Sequence, residues 1–122
     1  MPYDEGLAER IREVLHDRRE IVEKRMFGGI AFLLQGHMVV GIVSDNLMCR
    51  VGPDRYERAL TRPFARPMDF TGKPLKGFVF VAPGGFAEDG DLELWIGDCL
   101  RFVESLPPKT SLRAAVGRPG RR

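Results

Sequence analysis

Two periods of apolar residues run along this chain, and they mark its elements. Leu7, Ile11, Val14 and Leu15 fall on one helical stripe, with Glu9, Arg10, Arg12 and Glu13 on the other side. The spacing predicts a helix from Asp4 to Asp17, capped by Asp4 and favoured by Glu5 at the positive end of the helix dipole. A single narrow stripe of this kind packs on a sheet. From Val22 the pattern becomes strand-like. A first strand is expected from Val22 to Ala31, extending through Leu34, with Gly28-Gly29 marking a bulge, a bend or a close backbone approach. After Gln35-Gly36-His37 the chain returns over Met38 to Ser44. Asp45-Asn46 makes a tight turn into a third strand, Leu47 to Val51.

Gly52-Pro53-Asp54 stops this run and opens a short helix from Arg55 to Leu60. Pro63 and Pro67 frame a loop. Met68-Asp69-Phe70 reads as a short strand, and residues 71–77 as a loop. Gly77 to Val81 is apolar on both faces, as in a central strand. Leu92, Trp95, Ile96, Cys99, Phe102, Val103 and Leu106 keep helical spacing, predicting a last helix from Asp89 or Asp91 to Leu106. Pro107-Pro108 ends it. The expected class is α+β: a two-layer sandwich, helix-β(3)-helix-β(2)-helix, with one five-stranded antiparallel sheet covered by helices. The expected domain spans residues 1–108, and residues 109–122 form a basic tail expected to be disordered.

Composition narrows the class. At 122 residues, 43% of them hydrophobic and 30% charged, the chain fits one globular domain. It holds no apolar run long enough to cross a membrane, and its acidic start is unlike a signal peptide, so a cytoplasmic location is expected. Cys49 and Cys99 are the only cysteines. In a reducing compartment they read as small buried apolar residues, with a structural disulfide as the minor alternative. No spacing suggests a zinc site. The net charge of +2 conceals an asymmetry. Five of the 19 basic residues lie in the acid-free stretch 107–122, leaving 14 basic against 17 acidic side chains elsewhere. The body is therefore mildly acidic, and overall basicity carries no argument for nucleic acid.

Candidate chemistry is sparse. Ser44, Ser105 and Ser111 lack a nucleophile-elbow setting. His16, at the end of the first helix, reads as a dipole partner, and His37 as an exposed turn residue. Glu88, Asp89 and Asp91 precede the last helix, where acids stabilise the N-terminus. Gly28-Gly29, Gly84-Gly85 and Thr71-Gly72-Lys73 complete no phosphate loop. No catalytic residue, metal site or cofactor is therefore expected. Lys24, Arg25, Arg50, Lys73 and Lys76 form the candidate binding surface, provided that the strand order brings Lys24-Arg25 near the 71–77 loop.

Five segments together resemble one family. They are Tyr3 to Leu7, Lys24-Arg25-Met26-Phe27-Gly28-Gly29-Ile30-Ala31-Phe32, Leu47 to Pro53, Arg66-Pro67-Met68-Asp69-Phe70-Thr71-Gly72-Lys73-Pro74-Leu75-Lys76-Gly77 and Ser105 to Lys109. The chain is similar to the TfoX/Sxy N-terminal domain over about residues 3–109. The family is named for regulators of natural competence that act with a cyclic-AMP-responsive transcription activator and carry a further, helical C-terminal domain. These 122 residues hold no counterpart of that domain, so the expectation attaches to the N-terminal domain alone. The resemblance supplies no catalytic residues. It implies a non-enzymatic regulatory or adaptor domain with an unidentified protein partner, using an edge strand or the 63–77 loop. The alternatives are weak nucleic-acid binding through the basic rim and tail, or an enzyme using His37 or Asp69. A homodimer through an exposed sheet edge is a further expectation.

Overall fold

The computed structural model describes residues 3–18, 20–26, 28–68 and 75–107. Helix α1 (Glu5–Val14) leads into four consecutive strands: β1 (Ile21–Met26), β2 (Gly29–Leu34), β3 (His37–Val43) and β4 (Asn46–Arg50). Helix α2 (Tyr56–Leu60), strands β5 (Ala65–Pro67) and β6 (Phe78–Val81), a 3-10 turn over Pro83–Phe86 and helix α3 (Asp89–Glu104) complete the order. Asp4 caps α1, accepting from the Leu7 amide at 3.2 Å. The α+β class with one antiparallel sheet holds. The sheet, however, has six strands in the order β1-β2-β3-β4-β6-β5, against the five expected.

The extra strand comes from Gly28. The segment expected to run unbroken from Val22 to Leu34 folds back on itself, so that Met26 pairs with Gly29 and Ile21 with Leu34. Gly28 has φ +75, the left-handed conformation that a two-residue hairpin needs. A glycine pair inside an apolar run suits either a bulge or a turn, and tertiary pairing selects the turn. The next hairpin is equally tight: Leu34 pairs with His37, and Gln35 and Gly36 both have positive φ. Of the expected strand Met68-Asp69-Phe70, Asp69 and Phe70 lie outside the described residues, and the outer edge of the sheet is a short strand inside the loop expected between Pro63 and Pro67. It occupies Ala65–Pro67, where Pro67 lies on the outermost strand and withholds no hydrogen bond from a central ladder. Strand β6 is central, between β4 and β5.

All three helices share one face of the sheet. Leu7, Ala8 and Ile11 of α1, Tyr56 and Ala59 of α2, and Leu92, Trp95, Ile96, Cys99 and Val103 of α3 are buried against Phe32, Val40, Ile42, Leu47, Cys49, Val79 and Val81. Cys49 and Cys99 meet here as free, buried thiols. Burial pushes the Cys49 thiol well up, and hydrogen bonding to Cys99 adds to that, so both act as small core residues. The other face carries a second cluster: Ala31, Met38, Met48, Met68 and Phe80, flanked by Met26, Leu33, Val43 and Phe78. Among the described residues no helix residue belongs to it, and the three described helices lie on the opposite face.

Arg12 ties α1 to the sheet edge through paired bonds to Glu23, at 2.7 and 2.8 Å. The Arg12 hydrogen bonds hold the Glu23 carboxyl below its ordinary range. A lowered carboxyl pKa adds stability above the unfolded value near 4.3, and this is lost as pH falls through the folded value. Both side chains are about one-third exposed, so the gain stays small. Glu23→Gln is expected to cost less than about 1 kcal/mol at neutral pH. In urea titrations the difference from the parent should shrink as pH falls below the ordinary carboxyl range and vanish once Glu23 is protonated in the folded state; a gap that persists in stronger acid would refute the ion-pair account.

Candidate functional site

Adjacent strand residues point to opposite faces, and this decides where the predicted cations lie. Lys24 pairs with Ala31 and sits on the methionine-rich face. Arg25 pairs with Ile30, on the helix-covered side, with its guanidinium 6.0 Å from the centre of the Tyr3 ring. Arg50 ends β4 between the rings of Phe78 and Phe102, at 5.4 and 5.6 Å, and burial lowers its pKa. Lys76 lies in the turn before β6. Three strands, β2, β3 and β4, separate β1 from β6, so the strand order keeps Lys24 and Arg25 away from Lys76. At a strand spacing of roughly 4.8 Å the gap is about 19 Å. Lys73 and Asp69 fall outside the described residues, as does the tail.

The methionine-rich face has its own order. One row of paired residues crosses all six strands: Lys24, Ala31, Gly41, Met48, Phe80 and Arg66. Small and apolar residues fill its middle and a cation stands at each edge. The two edges differ. Strand β5 has three residues and ends in proline, whereas β1 has six and pairs on one side only, with β2. On β1 the helix-side residues Glu23 and Arg25 are engaged by Arg12 and Tyr3. Val22, Lys24 and Met26 face the other way, and Val22 is 60% exposed beside Leu33.

A second cationic group, not anticipated from sequence, lies on the helix side. Asp98 of α3 gathers Arg55 at 3.5 Å, Arg62 at 3.3 Å and Arg101 one turn along its own helix. The Arg62 guanidinium carbon lies over the buried Trp95, 3.6 Å from the ring centre. Arg55, Arg58 and Arg62 also line a cleft of about 130 Å³ with Val51, Ala59 and Asp98. Arg55 precedes α2, Arg58 lies within it and Arg62 follows its end. The convergence of Arg55 and Arg62 on a carboxylate some 40 residues further on was not legible in the sequence.

The histidines have structural partners. His16 meets the Glu13 carbonyl at 2.9 Å and, through its other nitrogen, Asp17 at 2.9 Å. His37 opens β3, and its Nε2 meets the Pro107 carbonyl at 2.7 Å, tying the segment after α3 to the sheet. Among the described residues no group of three or more His, Cys, Asp or Glu side chains could hold a metal ion, and no helix is long and apolar enough to cross a membrane.

The described residues define a small α+β domain: one antiparallel sheet, helices on one face, and a second, buried methionine-rich cluster on the other, with a basic residue at each edge. The chain belongs to the TfoX N-terminal domain family, whose model matches residues 13–103. No curated protein and no solved structure gives a significant match.

Proposed function

We propose that this TfoX N-terminal domain is a non-enzymatic regulatory adaptor that works by binding another protein along β1. The observation that carries this reading is the free side of β1 beside the exposed Val22. An extended segment of a partner would add there as a seventh strand. Main-chain hydrogen bonds supply affinity, and alternate side chains supply specificity. On the methionine-rich face those contacts are Val22, Lys24 and Met26, which fits a partner strand with apolar residues flanking an acidic one. Met26, partly buried at this edge, suits such a contact because an unbranched, polarisable side chain adapts to its partner. Of the basic side chains first singled out, Lys24 would contact such a strand on the methionine-rich face.

Val22→Asp tests the edge directly. Leu94→Asp is the control, since Leu94 is 58% exposed on α3, on the helix side. Immobilised parent protein and both variants are compared for retention of the same partner. Val22→Asp should weaken retention by about tenfold or more, the scale of an interface hot spot, and Leu94→Asp should leave it unchanged. Equal retention by all three, or turnover of a small molecule with no partner retained, would overturn the proposal.

A further inference from the structure

The arginine group around Asp98 continues into a second cleft. Arg62 and Trp95 line it together with Pro63, Phe64, Gly84, Gly85 and Asp91, and its volume is about 250 Å³. Phe64 dominates its wall. The residue has φ +69, a conformation that costs energy for any side chain and most for a bulky one. The ring packs so closely on Gly84 that a Cβ there would lie 2.6 Å from it. It nevertheless remains 57% exposed. An aromatic residue held in a strained backbone with its ring in solvent does not serve the core. The Phe64 carbonyl accepts from the Ala82 amide at 3.0 Å, which fixes the strained position.

The two clefts differ in chemistry. The first is cationic, with room for about four waters or one phosphate group. Its contacts from Arg55 and Arg62 to Asp98, at 3.5 and 3.3 Å, are longer than the roughly 2.8 Å of a full charge-assisted bond. Arg58 has no ion pair among the described residues. Guanidinium donors are therefore left over. The second cleft offers an aromatic face and the Asp91 carboxylate. In the first cleft Arg55, Arg58 and Arg62 stand against Asp98 alone, an excess of two positive charges among its lining residues.

We infer that the two clefts, which share Arg62, together bind a nucleotide, with a phosphate monoester on Arg55, Arg58 and Arg62 and the base stacked on Phe64 beside Asp91. A phosphate monoester near neutral pH carries close to two negative charges and matches the excess. Guanidinium forks fit its oxygens in pairs. The base takes the exposed ring face, and its amino group finds an acceptor in Asp91. This site lies on the helix side, away from the β1 edge, and does not depend on the adaptor reading.

The test is titration by calorimetry and by two-dimensional NMR, following the indole of the single tryptophan, Trp95. The probes are adenosine monophosphate, inorganic phosphate, adenosine, and a short single-stranded oligonucleotide without terminal phosphates. Adenosine monophosphate should bind tightest and shift the Trp95 indole. Arg58→Glu should weaken both phosphate probes by about tenfold or more. Phe64→Gly relieves the strained φ, so it should fold at least as well. It should weaken the nucleotide by about tenfold and leave inorganic phosphate unchanged. Preference for the oligonucleotide would move the ligand from a free nucleotide to a strand and overturn the monoester assignment. Equal binding of nucleotide and phosphate would overturn the base site. Binding indifferent to Arg58→Glu, or no binding, would overturn the whole inference.

Discussion

Gly29→Ala is expected to leave the domain largely unfolded, with a loss of at least about 3 kcal/mol. An added Cβ at residue 29 would lie 1.8 Å from the Ile42 carbonyl oxygen and 2.9 Å from its carbon. Those are backbone atoms of a strand paired on both sides, with Ile42 opposite Ile30 and Leu47. Moving them breaks two ladders at once, and a domain of this size has roughly 5–15 kcal/mol of total stability. The adjacent Gly28→Ala provides the contrast. Nothing lies within 4 Å of a Cβ there, so only the φ of +75 matters. The expected cost is about 1 kcal/mol, from the left-handed conformation alone. Urea denaturation followed by circular dichroism measures both. A Gly29→Ala variant as stable as Gly28→Ala would refute this account of the glycine pair. The same contrast explains the Met26-Phe27-Gly28-Gly29 block physically: one glycine turns the hairpin and the other admits the neighbouring backbone.

Trp95→Ala is the second large effect, at about 3–5 kcal/mol. The indole is 1% exposed, on the face of α3 that packs against the sheet, and is the largest fully buried side chain. Its loss opens a cavity beneath Arg62, whose guanidinium rests on the ring at 3.6 Å. Trp95→Phe keeps part of the packing and should cost less. A double-mutant cycle of Trp95→Phe with Arg62→Ala should show a coupling of about 0.5–2 kcal/mol, the range of a partly desolvated cation–π contact. Zero coupling would mean that the stack contributes nothing and that Arg62 is held by Asp98 alone.

Much of this fold was legible from local chemistry. The stripe Leu7, Ile11, Val14, Leu15 gave α1 a face, and Asp4 gave it a start. The last helix followed from the spacing between Leu92 and Val103. Gln35-Gly36 and the polar step before Leu47 placed two hairpins. The sequence blocks around Met26-Phe27-Gly28-Gly29 and Arg66 to Gly77 led to the family to which the chain belongs. Phe102, on the same helical spacing, is partly buried against the core beneath Arg50, near the end of α3.

Periodicity, capping and turn preference act over a few residues, so they can be read where they stand. They determined the helices, most strands, the absence of a long apolar span and the two-sided character of β6. Three matters needed the folded chain. Gly28 as a turn was chosen by the pairing of β1 with β2, because the same glycines suit a bulge equally well. The separation of Lys24 from Lys76 was decided by strand order, which depends on which distant strands bury one another's faces. The gathering of Arg55, Arg62 and Arg101 on Asp98 was decided by the packing of α2 beside α3 over Trp95. Each results from contacts between segments far apart in sequence, whose energy is summed over the whole core and is written in no single stretch of residues.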